Sequence, residues 1–338
     1  IAYHGVPSPV FDDGFPVGWL EYETGVYVVS EPTGSQSWYP VNNHPSDKAT
    51  YAMHITVPKP YVVAANGTAS DPIEGEQDIA YTFIEDDLMA SYLVTVNIGE
   101  YEVFSEVGEL SGIPITNYIE KGVSPDLLDA FENQDEILAM LIERFGPYPY
   151  DEIGGIVPAA DFGYALETQT LPIYGQGILR RAGDFVVVHE LAHQWFGNSL
   201  SPKTWDQIWL NEGFANYSEV LLLEYTDGRE AAEGYVQTQY ESELLRTVPP
   251  GVITSGDVGS LFSSSVYQRG GLTLHALRLT VGDETFFEIL RTYAAKFAHS
   301  NVETEDFILL AEEISGEPLR DLFDAWLYQD TLPELPER

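Results

Sequence analysis

The 338-residue chain has room for two domains or one large one, and a hydrophobic content of 44% with many Tyr and Phe excludes a disordered polymer. Fifty-four acidic side chains face fifteen basic ones, only five of them Lys, and a formal charge of −39 excludes nucleic acid as the expected partner. With no Cys, disulfides and thiolate metal sites are excluded, and no apolar run reaches the ~18 residues of a membrane span.

The acid excess favours solubility, attracts cationic ligands and suits a salt-rich habitat, although an ordinary soluble acidic protein is the simpler reading. Composition leaves the compartment and the oligomeric state open.

In chain order, residues 1 to about 105 read as β. GVYVVSEP, TYAMHITVP, YVVAANGTA, DIAYTFIE and ASYLVTVNIGEYEVF are rich in Val, Ile, Thr and Tyr, alternate in polarity, and are separated by turn residues. Asn66-Gly67 predicts a tight hairpin turn. After Gly112-Ile113-Pro114 the pattern becomes helical. Ser124 is the expected N-cap with Pro125 at the first helical position; Leu127, Phe131, Leu138, Leu141 and Phe145 follow at helical spacing, and Gly146-Pro147 stops the helix. A strand-like stretch, DEIGGIVPAADFGYALETQT, leads into two helices, VVVHELAHQWFGN and NEGFANYSEVLLLEY, and the rest is mainly helical. The expected fold class is α+β, a β-sheet domain over 1–106 followed by a helix-rich domain over 107–338. Asn66-Gly67-Thr68 and Asn216-Tyr217-Ser218 match glycosylation sequons; the first is explained as a turn, and the second lies in a helix where a glycan would not fit.

His189 and His193 lie four apart, which on a helix puts both imidazoles on one face, able to reach one ion. Glu190 is rotated about 100° from His189 and can flank that ion without ligating it. This is His-Glu-x-x-His, two zinc ligands and a general base. Chance supplies such a match in roughly one chain of this length per hundred. The helix around it is mostly apolar, so two His and a Glu there each need a partner, and one metal serves all three. A catalytic zinc takes three protein ligands and keeps an open position. Eighteen residues separate Glu212 from His193, room for a loop and a second helix, and Glu212 is the expected third ligand; otherwise it is an acid complementing a helix N-terminus. Glu219, two turns further on, either accepts a hydrogen bond from a ligand imidazole or is a solvated-face acid.

HELAHQWFGN followed by WDQIWLNEGFANYSE resembles the gluzincin zinc aminopeptidases of the aminopeptidase N and leukotriene hydrolase type. ADFGYALETQT resembles the family's exopeptidase signature, VYQRGGLTLHALR its segment with a catalytic tyrosine, and GSQSWYPVNNHPSDKATYAMHITVP the end of its N-terminal β domain. The resemblance implies a thermolysin-like, helix-rich zinc peptidase domain after a partial β domain, holding one Zn2+ per chain. It also implies a shortened form, lacking the start of the β domain and a C-terminal helical domain. It assigns Glu167, within Gly163-Tyr164-Ala165-Leu166-Glu167, to the free amino group of a peptide substrate, with Gly163, Tyr164 and Ala165 lining the substrate backbone by strand addition. Tyr267 becomes the oxyanion donor, and Glu31 a second amine-binding acid, although Val29 stands where the family often has Gln. As bare residues, Glu167 also reads as an edge-strand acid and Tyr267 as a core aromatic. The expected activity is hydrolysis of the first peptide bond by a zinc-activated water, Glu190 taking the proton. Two other readings stay open: a thermolysin-type endopeptidase, and a weakly active fragment acting as a binding module.

Overall fold

The structure is a computed structural model that describes residues 1–246, 248–252 and 258–336. Its class is α+β, with sheets filling the first part of the chain and helices most of the remainder. The strands are β1 (Val10–Asp12), β2 (Phe15–Tyr22), β3 (Gly25–Val29), β4 (Ala49–Pro58), β5 (Val62–Ala65), β6 (Thr68–Ala69), β7 (Ile73–Glu74), β8 (Asp78–Met89), β9 (Val96–Gly99), β10 (Tyr101–Val107), β11 (Pro114–Glu120), β12 (Ile153–Val157), β13 (Ala165–Leu166), β14 (Ile173–Tyr174), β15 (Ser201–Pro202) and β16 (Asn301–Val302). The helices are α1 (Asp129–Glu132), α2 (Gln134–Phe145), α3 (Gln176–Ala182), α4 (Asp184–His193), α5 (Trp209–Thr226), α6 (Arg229–Glu243), α7 (Val258–Leu261), α8 (Gly270–Val281), α9 (Asp283–Lys296), α10 (Thr304–Ser315) and α11 (Arg320–Tyr328).

The chain divides into two compact units. One comprises Ile1–Glu132 with Tyr150–Val186; the other comprises Asn133–Pro149 with Val187–Arg338. Residue 106, where the sequence suggests a domain boundary, lies in β10, every residue of which pairs with β11.

The first unit holds three sheets. Their orders are β1-β2-β3-β9-β5, then β4-β8-β6 with β7 also on β8, then β10-β11-β12-β14-β13. The alternating polarity of TYAMHITVP matches the alternating burial of β4, which runs antiparallel to β8. The third sheet is mixed: β11, β12 and β14 are parallel, while β10 and β13 close the edges antiparallel. One core gathers Leu20, Val29, Tyr101, Ile156, Phe162 and Leu166. A second gathers Val57, Val63, Phe83 and Val96.

Two local expectations change. Asn66-Gly67 does not close a hairpin: β5 before it pairs with β9, whereas β6 after it pairs with β8. The dipeptide switches the chain from one sheet to another. Gly67 supplies the required φ of +83°, and the buried Asn66 amide donates to the carbonyls of Leu93 at 3.0 Å and Gln169 at 2.6 Å. The expected helix after Ser124 is interrupted. A 3-10 turn at Pro125–Leu127, α1 and α2 follow one another, and the Ser124 hydroxyl bonds to the Asp126 carboxylate instead of capping.

The second unit is built around α5. Phe196 packs on Phe214 with ring centres 4.4 Å apart and the rings tilted by 38°, and Phe307 meets Phe214 at 5.1 Å and Tyr293 at 4.9 Å. Where α5 crosses the start of α8, Gly213 and Gly270 face each other. A Cβ on Gly213 would lie 2.9 Å from the Gly270 backbone, and a Cβ on Gly270 equally close to Gly213 Cα. Only glycines permit that approach.

Candidate active site

The period of α4 brings His189 and His193 together, ring centres 4.8 Å apart. Glu212, on the first turn of α5, reaches both: its Oε2 lies 3.3 Å from His189 Nε2 and 3.5 Å from His193 Nε2. The outer nitrogens are already engaged. His189 Nδ1 meets Glu219 Oε1 at 3.0 Å, and His193 Nδ1 meets the Phe196 carbonyl at 3.1 Å. Both partners accept, so both Nδ1 atoms donate, and the Nε2 atoms turn toward the Glu212 carboxylate.

Acceptors that converge in this way demand a cation between them. A proton can serve one nitrogen–oxygen contact, whereas a metal ion serves all three donors at once. Zinc bonds nitrogen and carboxylate oxygen at about 2.0–2.2 Å, and the edge of such a tetrahedron is roughly 3.3–3.5 Å. The donor set therefore fits zinc in both chemistry and spacing. The charge environment has the same sense. Burial opposes a charge on His189, but the carboxylates of Glu212, Glu219 and Glu190 outweigh it and hold the imidazole well above its ordinary range. Burial likewise opposes charge on Glu212, yet His193 and His189 pull its carboxyl below the usual range.

Glu190, beside His189 on α4, is 5% exposed, and one of its carboxylate oxygens lies within 4.8 Å of a His193 ring nitrogen. Tyr267 sits in a single π-helical turn, Ser265–Arg269, that leads into α8, and its ring lies 5.9 Å from that of His189 at an interplanar angle of 21°. Gly213 directly follows Glu212 and Gly270 directly follows this turn, so the close contact of the two glycines ties the turn to the start of α5. The second unit thus gathers six of the residues singled out in the sequence: His189, Glu190, His193, Glu212, Glu219 and Tyr267.

The remaining ones lie in the first unit. Glu167 follows β13, the edge strand of its sheet, directly. Gly163 and Tyr164 are exposed and Ala165 is half-buried. The Gly163 carbonyl accepts from Arg181 at 2.6 Å, and the Tyr164 ring packs on Phe162, which stacks on Tyr27 at 4.7 Å. Glu31, just beyond β3, and Glu167 are 8% and 2% exposed, and carboxylate oxygens of the two lie within 4.8 Å of each other. One participant escaped the sequence reading: the Tyr235 hydroxyl donates to Glu219 Oε2 at 2.9 Å, extending the chain of contacts behind His189. No local pattern marks Tyr235, because only the packing of α6 against α5 brings it there.

The family model described as peptidase family M1 domain matches residues 131–326, and that described as peptidase M1 N-terminal domain matches residues 23–93. Aminopeptidase M1-A of Oryza sativa subsp. japonica is 30% identical over 328 residues, covering 90% of this chain and 37% of that protein. Glutamyl aminopeptidase of Sus scrofa is 28% identical, covering 90% of this chain and 34% of that one. The chain thus spans about a third of the length of these curated relatives. The solved M1 zinc metallopeptidase of Deinococcus radiodurans is 29% identical with a TM-score of 0.89, covering 98% of this chain and 76% of that one.

Proposed function

The chain belongs to peptidase family M1, and from that premise we propose that it is a zinc-dependent aminopeptidase acting on peptides with a free N-terminus. The observation that carries the proposal is the convergence of His189, His193 and Glu212 with their outer nitrogens already tied back. Zinc held by these three would supply a Lewis acid for the scissile carbonyl and an acidified water.

The chain's own residues supply the rest. Glu190 takes the proton of the attacking water and returns it to the leaving amine. The Tyr267 hydroxyl donates to the oxyanion, and one such donor typically contributes ~3 kcal/mol of transition-state stabilisation. Glu219 holds the His189 ring in the tautomer a ligand needs. Glu167 and Glu31 take the substrate's ammonium. Both are buried with carboxylate oxygens within 4.8 Å of each other, a placement that suits joint binding of an α-ammonium. Gly163, Tyr164 and Ala165 precede Glu167 into an edge strand, which suits main-chain pairing with an extended peptide. We keep the functional division near residue 106: it falls between the two family matches, 23–93 and 131–326. Among the described residues no helix is long and apolar enough to cross a membrane.

The test pairs free with N-acetylated peptides and with aminoacyl anilides, with and without a chelator. Cleavage of free substrates alone, lost on chelation and restored by zinc, is the expected result. Equal cleavage of acetylated peptides identifies an endopeptidase instead. Glu190→Gln is expected to keep zinc and lose turnover by at least about 100-fold, as removal of a general base does.

A further inference from the structure

A π-helical turn is not held by the regular i→i−4 ladder, and such turns concentrate at functional sites. The turn that carries Tyr267 is pinned at both ends by side chains. At its last residue, the buried Arg269 donates to the carbonyls of Trp326 at 2.6 Å, Ala325 at 3.2 Å and Gln329, at and just beyond the end of α11. At its first residue, the Ser265 hydroxyl donates to Glu243 Oε2 at 3.0 Å. Glu243 ends α6, is 1% exposed, and has its other carboxylate oxygen 3.0 Å from Arg246.

A buried carboxylate is costly unless both oxygens are engaged, as Ser265 and Arg246 engage these. Its distinctive effect is directional: it fixes the azimuth of the turn two residues before the tyrosine. We propose that Glu243 is a positioning residue that, through Ser265, aims the Tyr267 hydroxyl at the reacting oxyanion. This rests on the role given to Tyr267 above. The balance is simple, since no bond is made or broken at Glu243 and Tyr267 donates one hydrogen bond.

The experiment is a double-mutant cycle on the full, zinc-loaded chain with an aminoacyl anilide, following kcat, KM, zinc content and affinity for a phosphinic mimic of the tetrahedral intermediate. Ser265→Ala, the mildest lesion, and Glu243→Ala are each expected to lower kcat by about 10- to 100-fold, the usual result of misplacing a catalytic group by an ångström. KM should stay within about twofold and zinc content should not change. Affinity for the phosphinic mimic should fall in step with kcat. Glu243→Gln, whose amide oxygen still accepts the Ser265 proton, should remain near the parent. In a Tyr267→Phe background neither alanine substitution should slow turnover further. Ser265→Ala as fast as the parent, or a loss that multiplies on top of Tyr267→Phe, overturns the positioning role while leaving Tyr267 in place. Parent-level turnover by Tyr267→Phe alone removes the tyrosine's role and the clamp's purpose with it.

Discussion

Glu85, on β8, is 4% exposed, and its carboxyl is pushed up to about 7. Burial is the main cause; the neighbouring charges of Asp87 and Glu152 add to it, and the Asp87 amide, 3.0 Å away, and the Gln169 side chain oppose it. A carboxyl that binds its proton more tightly folded than unfolded destabilises the fold as pH rises. Stability should therefore decline from about pH 4.5, its ordinary value, to about 7 and then level off. The full effect is at most about 3.5 kcal/mol, from about 1.4 kcal/mol for each pH unit of that interval. Glu85→Gln, which keeps an acceptor for the Asp87 amide, should flatten this stretch of a Tm-versus-pH curve, and an unaltered slope would assign the dependence elsewhere. The residues that could be read directly from the sequence are those whose geometry is local. His189, Glu190 and His193 are fixed by one helical period. Glu85, Tyr235 and Glu243 could not be read, because each owes its environment to residues far along the chain.

Among the elements, the crossing of α5 with α8 is the most constrained. Gly213→Ala gains roughly 0.5–1 kcal/mol of helix propensity, but a Cβ placed 2.9 Å from the Gly270 backbone has no flexible neighbour to displace, and overpacking costs typically 1–3 kcal/mol. The steric term wins. The variant should melt lower and turn over more slowly, since Glu212 and the Tyr267 turn flank the contact; a Tm at or above the parent's would show that the helices can separate freely. Strand alternation and apolar helix stripes are periodic, so β4, β8 and α4 could be anticipated. Sheet order is not. Nothing near Asn66-Gly67 indicates that β5 and β6 join different sheets, because their partners β9 and β8 lie elsewhere in the chain. The break between α1 and α2 was equally hidden, because the apolar spacing runs on through it.

For the whole molecule, a formal charge of −39 makes mutual repulsion of carboxylates the dominant long-range electrostatic effect. The screening length falls from about 10 Å at 0.1 M to about 3 Å at 1 M salt. Screening also weakens exposed pairs such as Lys59–Glu74, but acids outnumber bases by fifty-four to fifteen, so relief of repulsion prevails. Tm should climb with NaCl over that range, and a flat or falling curve would mean that the acids are too dispersed to matter. The segment order of the two units has an effect of its own. The backbone passes between them after Glu132, again after Pro149 and again after Val186. Severing it after residue 106 cuts through β10, and severing it after Glu132 strips β11 of its parallel neighbour β12. Neither half is a cassette. Recombination with a homologue at either of those two points would mix strands from two parents in a single sheet, whereas a crossover after Val186 keeps β1 to β14 from one parent and places the junction inside α4.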